Sequence, residues 1–205
     1  MSIGYACLNI GTPNTSIRSV MQRNATPEKL TEVTTHNLAA LEKMIDYNRK
    51  NNIKLFRISS DLIPFGSSPV NALPWWDIHA EAFQHIGAKI RKSGMRVSFH
   101  PGQYTVLNSP DEDVVARAIL DLAYHAKMLE CLGVDNQHKI VLHVGGIYGD
   151  KKEALERFEQ NFRRLPEAVR NRLIIENDDR LYNIEEVLEL AHRLQIPAVY
   201  DNLHH

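Results

Sequence analysis

Cysteine is scarce in this chain of 205 residues: Cys7 and Cys131 stand far apart, and neither belongs to a CxxC pattern. That excludes a disulfide-stapled scaffold and leads us to expect a reduced, cytoplasmic setting. Long apolar runs are lacking too. None approaches the ~20 residues that span a bilayer, and the N-terminus has no signal-peptide layout, so no membrane partner is expected. There is no excess charge of one sign. With 24 basic and 25 acidic residues the formal net charge is −1, which argues against a polybasic nucleic-acid tail but leaves room for a local basic groove. No Gly-rich phosphate loop follows the first apolar run, no segment repeats, and none is of low complexity. What remains is ordinary: 43% hydrophobic and 24% charged residues, a composition and length that fit one domain, residues 1–205, with a core of its own.

Six short β-rich runs alternate with five helical stretches. The first strand is expected over Ile3 to Ile10, the second over Ile53 to Ser59, the third over Met95 to His100 and the fourth over Lys139 to Val144. The fifth ends at Glu176 and the sixth opens at Pro197. The first helix starts with Thr26 as N-cap and Pro27 at its first position, and runs to about Asn51. A second is expected from about Trp76 to Ser93. Ser109-Pro110-Asp111-Glu112 reads as a capping box for a third that stops near Gly133. Asp150 with Glu153, and Asn183 with Glu186, start the last two. Strict alternation of this kind implies parallel strands with right-handed crossovers.

Four of the runs end in a metal-ligand side chain: Val97-Ser98-Phe99-His100, Ile140-Val141-Leu142-His143, Leu173-Ile174-Ile175-Glu176 and Ala198-Val199-Tyr200-Asp201, the last followed by His204. In an α/β barrel the C-terminal strand ends converge on one face, where chemistry sits. Imidazole with carboxylate suits zinc, manganese or iron better than calcium. A set this large suits more than one ion, and clustered ions can stabilise the attacking and leaving oxygens of a phosphoryl displacement. After His100, the loop Pro101-Gly102-Gln103-Tyr104 carries an amide and an aromatic ring able to wedge into a base stack. The plain alternative is a turn with a surface Gln and a packed Tyr. Tyr5 and Asn9 close the first strand on the same face, with a core Tyr and a turn-forming Asn as their alternative. Gly145-Gly146 suits either a close phosphate approach or a tight βα turn.

The segments Tyr5-Ala6-Cys7-Leu8-Asn9, Phe56-Arg57-Ile58-Ser59-Ser60-Asp61, Ser98-Phe99-His100-Pro101-Gly102-Gln103-Tyr104, His143-Val144-Gly145-Gly146, Ile175-Glu176-Asn177-Asp178 and Asp201-Asn202-Leu203-His204-His205 together resemble the UV-damage endonucleases. The resemblance covers the whole chain in order. It implies a TIM barrel of the xylose-isomerase-like type, related also to endonuclease IV. It also implies incision of UV-damaged double-stranded DNA just 5′ to pyrimidine dimers and 6-4 photoproducts, in a nucleotide-excision type of repair. A divalent metal cluster is implied, manganese first, with zinc or magnesium as alternatives. By the same resemblance His100, His143, Glu176, Asp201 and His204 match metal-ligand positions, with Glu176, His100 and His143 also expected to be catalytic. Gln103 and Tyr104 match the pair that probes the duplex at the lesion, and Tyr5 and Asn9 match residues near the damaged nucleotides.

Members of that family continue through two further strands carrying more ligands and a lysine. The expectation is therefore an incomplete barrel of about six β/α units with the last two strands missing, completed by a partner chain or a further C-terminal segment. Two rival readings stay open: a xylose-isomerase-like sugar isomerase or epimerase, and a non-catalytic damaged-DNA-binding fragment.

Overall fold

The computed structural model describes residues 3–204; His205 lies outside them. The chain divides into two compact units, one made of the residues up to His100 with Lys127–His138, the other of Pro101–Ala126 with the residues from Lys139 onward.

In the first unit β1 (Gly4–Ala6), β2 (Leu55–Arg57) and β3 (Arg96–Phe99) run parallel, with Tyr5 level with Phe56 and Phe56 level with Val97. Helix α1 (Pro27–Lys50) starts where Thr26 Oγ1 accepts the Lys29 N–H at 3.2 Å, and Pro27 gives up only an N–H that the first turn leaves unpaired. Its apolar face sets Leu41 and Ile45 fully inside, as α3 (Ala80–Ser93) does Phe83 and Ile90. Each such side chain contributes about 1.5–3 kcal/mol over its exposed state. Close packing of α3 needs Gly87, because a Cβ there would sit 1.8 Å from the Leu132 carbonyl oxygen. His138, just ahead of the fourth strand, turns its Nδ1 to accept the Val97 N–H at 3.0 Å.

In the second unit β4 (Lys139–His143), β5 (Leu173–Glu176) and β6 (Ala198–Val199) are parallel neighbours in that order. β5 is buried along its whole length, as an apolar run covered on both faces should be. Helix α4 (Glu112–Cys131) begins in this unit; α5 (Lys151–Arg164), the short α6 (Glu167–Arg170) and α7 (Ile184–Leu194) follow. Asn183 and Glu186 form the full capping box of α7. Asp150 accepts the Glu153 N–H at 3.0 Å, but the Glu153 carboxylate pairs with Arg157 at 3.6 Å.

Three expectations are corrected. The first strand stops at Ala6, because Cys7 takes φ 58° and turns the chain; Leu8 and Ile10 are then exposed rather than core. The helix expected from Trp76 breaks at His79 into α2 (Trp75–Ile78) and α3, where His79 leaves helical geometry at φ −111°. The cap of α4 is Asp111, not Ser109: Asp111 Oδ1 accepts the N–H groups of Asp113 and Val114, while Ser109 Oγ is occupied by the Asp111 N–H at 3.1 Å. Among the described residues no helix is long and apolar enough to cross a membrane.

Candidate metal centre

The parallel register of β4 and β5 sets His143 level with Glu176, so their side chains leave the two strand ends side by side. His143 Nε2 lies 3.1 Å from Glu176 Oε1. Glu176 is 2% exposed. A carboxylate this deep carries a desolvation penalty of several kcal/mol, which a cation would offset if bound. The short β6 then delivers Asp201 and His204, and one ligand atom from each of Glu176, Asp201 and His204 lies within 4.8 Å of the others. The His143 and His204 rings are 5.5 Å apart between centroids. Two imidazoles and two carboxylates thus meet at one end of three strands, a donor set that fits a divalent transition ion.

The electrostatics agree with that use. His204 Nδ1 is 3.1 Å from the Asn177 carbonyl. A carbonyl can only accept, so Nδ1 carries the proton and the Nε2 lone pair is left for a ligand bond. This hydrogen bond, reinforced by the carboxylates of Asp201, Glu176 and Asp179 and opposed by burial, holds the His204 pKa above its ordinary value. Next along the chain, Asp178 gathers a loop around itself. Its Oδ1 accepts the N–H groups of Arg180 at 2.8 Å and Leu181 at 2.5 Å, and Oδ2 accepts that of Tyr182 at 3.2 Å.

A cavity of about 350 Å³ opens over these residues, lined among others by Pro101, Gln103, His143, Arg180 and His204. Gln103 therefore shares a cavity with two of the donors. Tyr104 is 83% exposed, which rules out the packed-Tyr alternative. The Gln103-Tyr104 loop is pinned from behind, where the Thr105 hydroxyl meets Asp121 Oδ2 at 2.7 Å. At Gly145, φ 108° and a Cβ that would fall 2.4 Å from Asn108 Oδ1 show why glycine is needed. The segment is held by Asn108 Nδ2 and the Tyr182 hydroxyl, both donating to the Gly146 carbonyl. Burial pushes the Tyr182 phenol up to about 12.

Three of the expected site residues belong to the first unit. His100 is half-buried, and its carbonyl accepts the Ser60 hydroxyl at 3.0 Å. Asn9 Nδ2 donates to the Tyr5 hydroxyl at 3.2 Å, and the Tyr5 ring rests on Phe56 at 4.9 Å between centroids. Asn177, placed by sequence only within a polar strand exit, emerges as the residue that ties the Asp201–His204 segment to the end of β5.

The profile of the family described as UV-endonuclease UvdE matches residues 2–205. The chain belongs to the UV-endonuclease UvdE family. A relative in this family, the UV DNA damage endonuclease of Clostridium perfringens (strain 13 / Type A), is 44% identical over 204 residues, 100% of this chain and 50% of that protein. The chain thus spans about half the length of the curated relatives it matches. The crystal structure of SacUVDE superposes with a TM-score of 0.97 at 38% identity, covering 100% of this chain and 70% of that one. D-psicose 3-epimerase from Clostridium cellulolyticum H10, solved with D-tagatose, matches at TM-score 0.56 and 17% identity over 80% of this chain and 58% of that one. This second likeness is one of fold alone. The UvdE family member is thus of the α/β class expected, with three parallel strands in each unit among the described residues and a fold shared with these enzymes.

Proposed function

We propose that this UvdE family member acts as one metal-dependent DNA-repair endonuclease domain that nicks UV-damaged double-stranded DNA 5′ to pyrimidine dimers and 6-4 photoproducts, in the cytoplasm. The observation that carries the reading is the buried Glu176 grouped with His143, Asp201 and His204, next to a cavity that His143, His204 and Gln103 line. These four residues would hold the ion, manganese by family resemblance. By the same resemblance His100 would be a further ligand. When bound, the ion supplies positive charge against the scissile phosphate and lowers the pKa of attacking water.

The protein's own groups do the rest. Glu176 fixes the charge of the centre from a buried position. His143, 3.1 Å from that carboxylate, keeps it oriented. Gln103 and the exposed Tyr104 enter the duplex at the lesion, where damaged bases are already poorly stacked and little energy is needed to part them. Tyr5 and Asn9, joined by their hydrogen bond, line the path of the damaged strand.

The test is UV-irradiated supercoiled plasmid with the chain and manganese, beside undamaged plasmid. Nicking confined to irradiated DNA and lost on chelation is expected. Ketose–aldose turnover, indifferent to Gln103→Ala and Tyr104→Ala, would move the assignment to a sugar isomerase. Retention of irradiated duplex in a gel without nicking would assign damage binding alone.

A further inference from the structure

Resting on the metal-centre reading above, we propose that Asn177 is a positioning residue that sets the metal affinity of the centre without ligating the ion. It follows Glu176 directly and is 1% exposed. Its side chain is spent on main chain 24 residues away: Oδ1 accepts the Asp201 N–H at 2.9 Å, and Nδ2 donates to the Asp201 carbonyl at 3.0 Å. Nδ2 is also 3.5 Å from the His204 carbonyl, and the Asn177 main-chain carbonyl takes the His204 Nδ1 proton at 3.1 Å.

Among the described residues, apolar packing gives this segment little support. It is a single 3₁₀ turn, Asn202–His204, after a two-residue strand, and Leu203 at its tip is 86% exposed. Apolar burial therefore contributes little to its placement, and the amide of Asn177 decides where Asp201 and His204 stand relative to Glu176. Because Asn177 is buried, a lost partner also leaves an unsatisfied polar group, which raises the cost of any other arrangement. Partners of this kind, one step behind the ligands, typically alter metal affinity by about 10–100-fold.

The experiment is calorimetric titration of the chain with Mn²⁺, for wild type, Asn177→Asp and Asn177→Ala, with ¹⁵N chemical shifts of the His204 ring recorded on the metal-free proteins. Asn177→Asp separates positioning from charge. It adds a negative charge next to the centre, which by itself tightens cation binding, yet it removes the Nδ2 donor and sets an oxygen against the Asp201 carbonyl. The expected result is Mn²⁺ binding about 10–100-fold weaker in both variants, with the single Nδ1–H tautomer of His204 replaced by a mixture. Unchanged or tighter Mn²⁺ binding by Asn177→Asp, with the tautomer kept, overturns the role of Asn177 and leaves the metal centre standing. A wild-type chain that binds no Mn²⁺ overturns the metal-centre reading and this role with it. If Asn177→Ala does not fold, the isosteric Asn177→Asp carries both measurements.

Discussion

Replacing Glu176 by Gln removes one charge and almost no volume, and its effect on stability should differ in sign with and without metal. At 2% exposure the carboxylate is kept from water, with His143 Nε2 at 3.1 Å. An amide in its place can still hydrogen-bond to the imidazole and escapes the penalty of burying a charge. Exchanging a buried ion pair for neutral groups of similar volume is often neutral or stabilising by about 1–4 kcal/mol, and because an imidazole can shed its proton, the amide leaves no uncompensated charge at His143. Taking about 1–2 kcal/mol, and about 2–4 °C per kcal/mol for a domain of this size, Glu176→Gln should raise the melting temperature of the metal-free protein by about 2–8 °C. With metal the order reverses. An ion present at 100 times its dissociation constant stabilises the wild type by about 2.7 kcal/mol, and the variant should lose nearly all of that gain. Differential scanning fluorimetry with and without Mn²⁺ reads both effects on one plate. A metal-free variant that melts several degrees below wild type would refute the reasoning, since the carboxylate would then be holding the fold together rather than waiting for a cation.

Two further outcomes follow from the same centre. In the metal-free protein His204 should titrate above the ordinary 6.5 of a histidine, as followed by its ring proton shifts. A raised folded pKa means that its contribution to stability is present below the unfolded value and is lost as pH rises through the folded one. Mn²⁺ should suppress the titration, and Mn²⁺ affinity should fall as pH drops through it, because only neutral imidazole binds metal. Tyr104→Ala should leave the melting temperature nearly unchanged, since the side chain is 83% exposed and such surface changes stay within about 0.5 kcal/mol. Its preference for irradiated over undamaged duplex, measured by competition binding, should fall roughly 5- to 150-fold, the range of one lost base–aromatic stack worth about 1–3 kcal/mol.

The strands and the donor series were legible in the sequence because buried parallel strands read as continuous apolar runs, and a polar ligand at the end of such a run has no packing role to explain it. Glu176 after Leu173-Ile174-Ile175 is the clearest case, and its level pairing with His143 follows once β4 and β5 align. What escaped was settled by competition or by distance. In Ser109-Pro110-Asp111-Glu112 two residues can cap; Ser109 closes a turn across Pro110, which leaves Asp111 to start α4. The break at His79 has no glycine or proline to announce it, and comes where buried Trp75 packs on Phe83 at 5.9 Å between centroids. Leu8 and Ile10 look like strand interior, yet the left-handed turn at Cys7 leaves them exposed. Asn177 was invisible as a positioning residue because its partners lie 24 positions downstream and are main-chain atoms that no side-chain pattern records.

That last detail has a consequence for redesign. The amide of Asn177 reads only the peptide groups of Asp201 and His204, so it is blind to which side chains those positions carry. Much of the scaffold that places the donors is therefore separable from the donors themselves. Substituting a softer or harder ligand at 204 would change which ion the site prefers and give up the Nδ1 bond to the Asn177 carbonyl, while the side-chain amide of Asn177 still holds the turn where β5 ends.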